Sequence, residues 1–168
     1  MHESVKLGSN IIVGPFSIIG PHVSIGNNTV IGNNVTICEG TTIGSDCKIY
    51  HSSSIGEVPQ DLKFKGEETE AYVGDRTIIR EYVTINRGTD ASGKTVVGSD
   101  CLLMASCHVA HDCVIGDHVI MANLSTLGGH VTIGDWATLG GAVIVHQFCN
   151  IGFHAFLGGG VKVVQDVP

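Results

Sequence analysis

Stepping along the chain six residues at a time from Leu7 meets an aliphatic residue again and again. The run is Val13, Ile19, Ile25, Ile31, Ile37, Ile43, Ile49 and Ile55. The phase fails at Asp61 and Glu67, returns at Val73, Ile79 and Ile85, fails at Ala91, and then holds from Val97 to Val163. In all, 24 aliphatic residues share one phase. A period of six excludes a helix, because 3.6 residues per turn would rotate these positions around every face. Two residues before each aliphatic stands a small or β-branched residue, as at Val23, Thr29, Val35, Thr41, Cys47 and Ser53, continuing to Val161. Residues two apart in a strand share a face. Each hexad is therefore a short strand with two inward residues, closed by a turn. Gly8, Gly14, Gly20, Gly26, Gly32 and Gly44 follow the aliphatics, where the pattern predicts the chain to bend. The fold class expected is all-β, one solenoid domain over residues 1–168. Insertion loops are expected at 59–70 and 89–94, where the phase breaks.

Composition narrows the function. A net charge of −7 leaves no basic stripe for phosphates, so nucleic-acid binding is excluded. No apolar run reaches the ~20 residues needed to span a bilayer. The first ten residues, MHESVKLGSN, lack the apolar core of a signal peptide, which points to the cytoplasm. The six cysteines are then expected as free thiols. Five of them (Cys47, Cys101, Cys107, Cys113 and Cys149) fall in the inward small column. A Cys/His metal cluster in the stretch SCHVAHDC, 106–113, is disfavoured, since inward thiols and outward imidazoles do not meet. No metal and no cofactor are expected.

The histidines sort by corner. With three hexads per coil, the turns after Val109, Leu127 and Val145 share one edge in consecutive coils. They read Ala110-His111-Asp112, Gly128-Gly129-His130 and His146-Gln147-Phe148. This stacks His111, His130 and His146, with His108 outward on the adjoining strand, at rungs ~5 Å apart. Both insertions leave the stack at the same corner, and loops that interrupt a solenoid cluster on its binding face. His118 and His154 lie on a second corner, His51 on the third, and His22 on the first-named edge but coils below. These are expected to be surface structure. Asp75, Asp100, Asp117 and Asp135 are expected as solvated turn residues.

A neutral imidazole suits general-base catalysis. His111 has Asp112 beside it as an orienting carboxylate, and the Gly128-Gly129 backbone can offer an N–H to an oxyanion. The serines lie mostly in the inward column, so direct attack by a substrate hydroxyl fits better than an acyl-enzyme.

The pattern [LIV]-G-x-x-[STAV]-x resembles the hexapeptide-repeat acyltransferases. The segments IGEVPQDLKFKGE (55–67), IREYVTINRGT (79–89), the CHVAHDC stretch, GGHV (128–131), VHQFC (145–149) and QDVP (165–168) resemble, within it, the UDP-N-acetylglucosamine O-acyltransferases of lipid A biosynthesis. The resemblance runs the length of the chain. It implies a left-handed parallel β-helix of about eight triangular coils. It implies transfer of a 3-hydroxyacyl group from acyl carrier protein to the 3-hydroxyl of UDP-N-acetylglucosamine, the first step of lipid A synthesis. His111 matches the general base and Gly129 the oxyanion donor. Asp61 and Lys63, with Gln60 beside them, match substrate-binding positions, and His108, His130, His146 and Gln147 match further site residues. Gly159 matches a position near the end of the acyl groove that bears on chain length. The resemblance further implies a homotrimer with sites between subunits, and a C-terminal helical domain that the 168 residues do not include.

Three other readings stay open at this point. A sugar N-acyltransferase of the same pathway shares the fold and base and differs in acceptor. A γ-class carbonic anhydrase has the same β-helix with zinc between subunits, with His108, His111 and His130 as the conceivable ligands. The third is a truncated, inactive β-helix.

Overall fold

The computed structural model describes residues 1–168. It contains 24 strands, from β1 (Lys6–Leu7) to β24 (Lys162–Val163), most of them two residues long. Each pairs in parallel with the strands one coil below and above, giving three eight-stranded sheets. The stack is a left-handed parallel β-helix. We name the sheets by their lowest strands, β1, β2 (Ile12–Val13) and β3 (Ile18–Ile19), and each corner by the sheet it follows. No helix is long and apolar enough to cross a membrane.

The phase-six aliphatics fill the bore. Ile31, Ile55, Leu103 and Leu127 are all at most 1 % exposed. Each such side chain contributes about 1.5–3 kcal/mol by leaving water. The ends differ. Leu7, Val13 and Val161 belong to the inward columns yet are 44 %, 36 % and 41 % exposed, because no full coil packs against them. The small column has a second role. Its hydroxyls and thiols donate to the carbonyl of the first turn residue one coil up: Thr29 to Gly44, Ser125 to Gly140, Cys101 to Gly116, Cys113 to Gly128. Within this column only the Thr41 hydroxyl is buried without a partner, since the coil above it leaves the ladder at Gly56 to form the first insertion.

The expected use of the turn glycines is corrected. The left-handed backbone falls on the third turn residue, and there it is carried by Asn28 (φ 57°), Asp100 (57°), Leu124 (65°) and Trp136 (64°). Such a conformation costs roughly 1–2 kcal/mol per residue outside glycine. A hydrogen bond to the coil below offsets it, as from His118 N–H to the Ser99 carbonyl at 2.9 Å. The six glycines that follow the aliphatics stand at the first turn position, without positive φ, for closeness. A Cβ on Gly26 would lie 2.5 Å from Ser45 N, and one on Gly14 2.6 Å from Gly32 C.

Both insertions leave the third corner. The first connects β9 (Ser54–Glu57) to β10 (Glu70–Val73), and the second connects β12 (Thr84–Asn86) to β13 (Lys94–Val97). The loops are therefore 58–69 and 87–93, and not 59–70 and 89–94. Glu70 and Lys94 are strand residues facing each other in register, because the strands flanking an insertion lengthen beyond the two-residue rung. The Asn86 amide ties down the start of the first loop at the Val58 carbonyl, 3.0 Å away. Phe64 lies against the Arg87 guanidinium, 5.6 Å from ring centroid to Cζ.

Candidate functional site

At the third corner, β15 (His108–Val109), β18 (Thr126–Leu127) and β21 (Ile144–Val145) feed three consecutive turns. Register decides who meets whom. His111, Gly129 and Gln147 share the second turn position, while Asp112, His130 and Phe148 share the third, all three with positive φ. His146 stands at the first. The three histidines thus do not form one column, as the corner count suggested. His111 and His130 pack edge to face at 5.2 Å between centroids, and His130 stacks on Phe148 at 4.5 Å. His146 is exposed, with Nδ1 3.2 Å from its neighbour Gln147's carbonyl oxygen.

Asp112 is the anchor. Its side chain is fully buried, and it receives four hydrogen bonds. Thr89 N–H donates to Oδ1 at 2.9 Å and the Thr89 hydroxyl to Oδ2 at 2.6 Å. The Ser92 hydroxyl donates to Oδ1, and His111 Nδ1 to Oδ2 at 2.8 Å. Burial alone would push this carboxyl up. The bonds from Ser92, Thr89 and His111 outweigh it and hold the group at about 2. An ionised carboxylate only accepts, so His111 Nδ1 carries the proton and Nε2 is left as the basic atom.

That atom faces Gly129. A Cβ placed on Gly129 would sit 2.6 Å from His111 Cε1 and 2.8 Å from Nε2, so the missing side chain is the room the imidazole occupies. The Gly129 N–H makes no hydrogen bond within the chain. A base and an unused backbone donor thus adjoin each other. This pair can remove a proton from a hydroxyl and stabilise an oxyanion on the carbon it attacks.

His108, on the outer face of the third sheet, has Nδ1 2.7 Å from the Thr84 hydroxyl. Burial pushes its imidazole down, and His111 nearby adds to this, so it stays neutral. Asp61 and Lys63 of the first insertion line a cleft of about 400 Å³ together with Phe64, Thr89, Asp90 and His130. Gln60 and Gln147 are exposed near this edge, and neither side chain hydrogen-bonds to His111, Asp112 or His130. Gly159 lies elsewhere, in the second corner after the strand Phe156–Leu157, at the opposite margin of the third sheet's face. A larger cleft of about 560 Å³ lower on the same edge is lined by Glu39, Glu67, Glu68 and Glu70 with His22 and Arg87, away from the His111 cluster.

His111, Asp112 and His130 each present a metal-donor atom within 4.8 Å of the others, a set that omits His108 and includes a carboxylate. The four hydrogen bonds on Asp112 already occupy the ~4 lone-pair sites of a carboxylate. The cluster therefore fits an oriented base better than a metal. The thiols beside it are inert. Burial pushes Cys107 up to about 11 and Cys113 up to about 12.

Thr84, Thr89, Ser92 and Phe148 escape a reading of the sequence. The signal for two of them is present: small hydroxylic residues, Thr89 and Ser92, in the very loop that leaves the chemical corner.

Comparison with known proteins identifies the fold and the family. The family model "Bacterial transferase hexapeptide (six repeats)" matches residues 4–39 and 94–129. The acyl-[acyl-carrier-protein]–UDP-N-acetylglucosamine O-acyltransferase of Xanthomonas campestris pv. campestris (strain B100) is 56 % identical over 166 residues, covering 98 % of this chain and 63 % of that protein. The structure of LpxA from Acinetobacter baumannii superposes with a TM-score of 0.99 at 43 % identity, over 100 % of this chain and 66 % of that one. The UDP-N-acetylglucosamine O-acyltransferase (LpxA) of Moraxella catarrhalis superposes with a TM-score of 0.93 at 42 % identity, over 98 % of this chain and 67 % of that one. The chain spans under two thirds of the length of the Xanthomonas relative.

Proposed function

Given that the chain belongs to the UDP-N-acetylglucosamine O-acyltransferase family, a hexapeptide-repeat family, we propose that it moves a 3-hydroxyacyl group from acyl carrier protein to the 3-hydroxyl of UDP-N-acetylglucosamine, the step that opens lipid A synthesis. The observation that carries the reading is the His111–Asp112 bond of 2.8 Å, which leaves Nε2 beside Gly129. His111 Nε2 takes the proton of the sugar hydroxyl as its oxygen attacks the thioester carbonyl. Charge gathers on the carbonyl oxygen, which accepts from Gly129 N–H. The tetrahedral intermediate then expels the carrier's thiolate, and the imidazolium returns the proton to sulfur. Asp112 keeps the ring in its productive tautomer throughout.

Asp61 and Lys63, lining the cleft with His130, hold the nucleotide sugar, with Gln60, Gln147, His108 and His146 around it. The acyl chain lies across the third sheet's outer face toward the second corner, where Gly159 leaves room for a longer chain. The outer face of the second sheet carries Ile12, Val30, Ile78, Leu102, Ile120 and Phe156 in one column, interrupted by Lys48 and Thr138. Ile12 and Phe156 are 61 % and 75 % exposed, which supports assembly of three copies with the sites between subunits. Six unpaired thiols support a cytoplasmic setting.

The test is transfer from a 3-hydroxyacyl carrier protein to UDP-N-acetylglucosamine by this chain and by His111→Ala. Ester formation that disappears with His111→Ala supports the reading. Full activity in His111→Ala overturns the mechanism, and amide formation or zinc-dependent CO₂ hydration instead would favour a rival enzyme.

A further inference from the structure

We propose that Thr89 and Ser92 of the second insertion are positioning residues for this chemistry: they clamp Asp112, and through it fix the ring of His111. The inference rests on the proposed role of His111 and extends it to a loop that none of the relatives' names describes.

Asp112 occupies the third turn position. In most turns that residue donates its N–H to a carbonyl one coil down, as His130 does to His111 at 3.0 Å. Below Asp112 the chain has left the ladder as the second insertion, so that carbonyl is missing. Asp112 N–H goes instead to the Thr95 hydroxyl at 2.8 Å. The loop then folds back over the vacated rung and delivers three donors to the carboxylate: Thr89 N–H, the Thr89 hydroxyl and the Ser92 hydroxyl. Ala91 N–H donates to Thr89 Oγ1 at 3.2 Å, which turns the hydroxyl's own proton toward Asp112. With both carboxylate oxygens held, Oδ2 has one direction left, and His111 Nδ1 fills it. Without the loop donors a buried carboxylate would rotate or take a proton, and the imidazole would lose its fixed partner. The insertion therefore serves the dyad as well as lining the cleft.

Thr89→Val keeps the side chain's volume and the backbone N–H and removes one donor. Thr89→Ser restores that donor. Histidine ¹⁵N spectra, with the His111 signal assigned by its loss in His111→Ala, read the tautomer without any substrate. The wild-type chain and Thr89→Ser should show one Nδ1–H tautomer, and Thr89→Val a mixture. In the transfer assay, kcat should fall about tenfold in Thr89→Val and about a hundredfold in Thr89→Val/Ser92→Ala, with KM within about twofold. Thr89→Ser should recover wild-type kcat. A single, unchanged tautomer in the double variant would overturn the proposal whatever the activity. So would a Thr89→Ser chain as impaired as Thr89→Val. If the wild-type chain transfers no acyl group, the function proposed above fails, while the tautomer still decides the clamp.

Discussion

At the first corner, the N–H of the second turn residue in six successive coils donates to the side chain stacked on it: Ser9 to Asn27, Asn27 to Ser45, Ser45 to Asp75, Asp75 to Ser99, Ser99 to Asp117 and Asp117 to Asp135. At the third corner the same column reads His111, Gly129 and Gln147. Gly129 has no side chain to accept from His111 N–H, and Gln147 accepts nothing from Gly129. The turns are alike, with the same positive φ at the third residue. One corner spends its polar groups on the neighbouring coil. The other withholds them, and a bare N–H and a bare imidazole nitrogen result. On the proposed mechanism, catalytic capacity comes from interrupting a structural ladder, and no new backbone is needed for it.

Exchanging an acid for its amide on each corner should separate the two most widely. Asp112→Asn turns an acceptor toward His111 into a possible donor and disfavours the Nδ1–H tautomer. We expect kcat to fall about a thousandfold. Asp117→Asn keeps an accepting oxygen for Ser99 N–H, and kcat should not change. Steady-state transfer rates check both.

The acid limb of stability offers a second contrast. Because Asp112 is held at about 2, below an ordinary carboxylate, its contribution is present in full above about pH 4. It is lost as pH falls toward 2, and amounts to about 2 kcal/mol at most. Thermal unfolding between pH 5 and pH 2 should show that slope in the wild-type chain and a shallower one in Asp112→Asn.

Asp75→Ala removes the acceptor for Ser45 N–H and should cost about 1 kcal/mol in denaturant unfolding with kcat intact. Asp100 pairs with Arg76 at 2.7 Å, but on the exposed flank of the same corner. Asp100→Ala should leave the unfolding midpoint within error, and the pair should be insensitive to mutation at high salt.

Much of this was legible from periodicity. The phase-six aliphatics named every strand, and counting by threes assigned His111, His130 and both insertions to one corner. What the count lacked was position within a turn. It placed His146 in the cluster, although Phe148 is the residue in register with His130. It took Asp75, Asp117 and Asp135 for solvated turn residues, as the exposed Asp117 is, but did not show that all three accept backbone N–H groups from the coil below. It gave the glycines to the bend when they serve close approach between coils. Each miss concerns contact between rungs, which a repeat marks only by spacing. The clamp on Asp112 was hidden for another reason: Thr89 and Ser92 lie outside the phase, where no periodic rule predicts direction.

Gly26 and Gly129 offer the most direct test, since a methyl on either meets an atom at near-equal distance: Ser45 N at 2.5 Å and His111 Cε1 at 2.6 Å. Alanine should be put at each position, and the unfolding midpoint and kcat measured together. In Gly26→Ala the obstacle is backbone, so the midpoint should drop by roughly 2–8 °C while kcat holds. In Gly129→Ala the obstacle is a side chain that can swing away, so the midpoint should hold while kcat falls about a hundredfold. Equal losses of stability and activity in both variants would contradict a division between a structural corner and a chemical one.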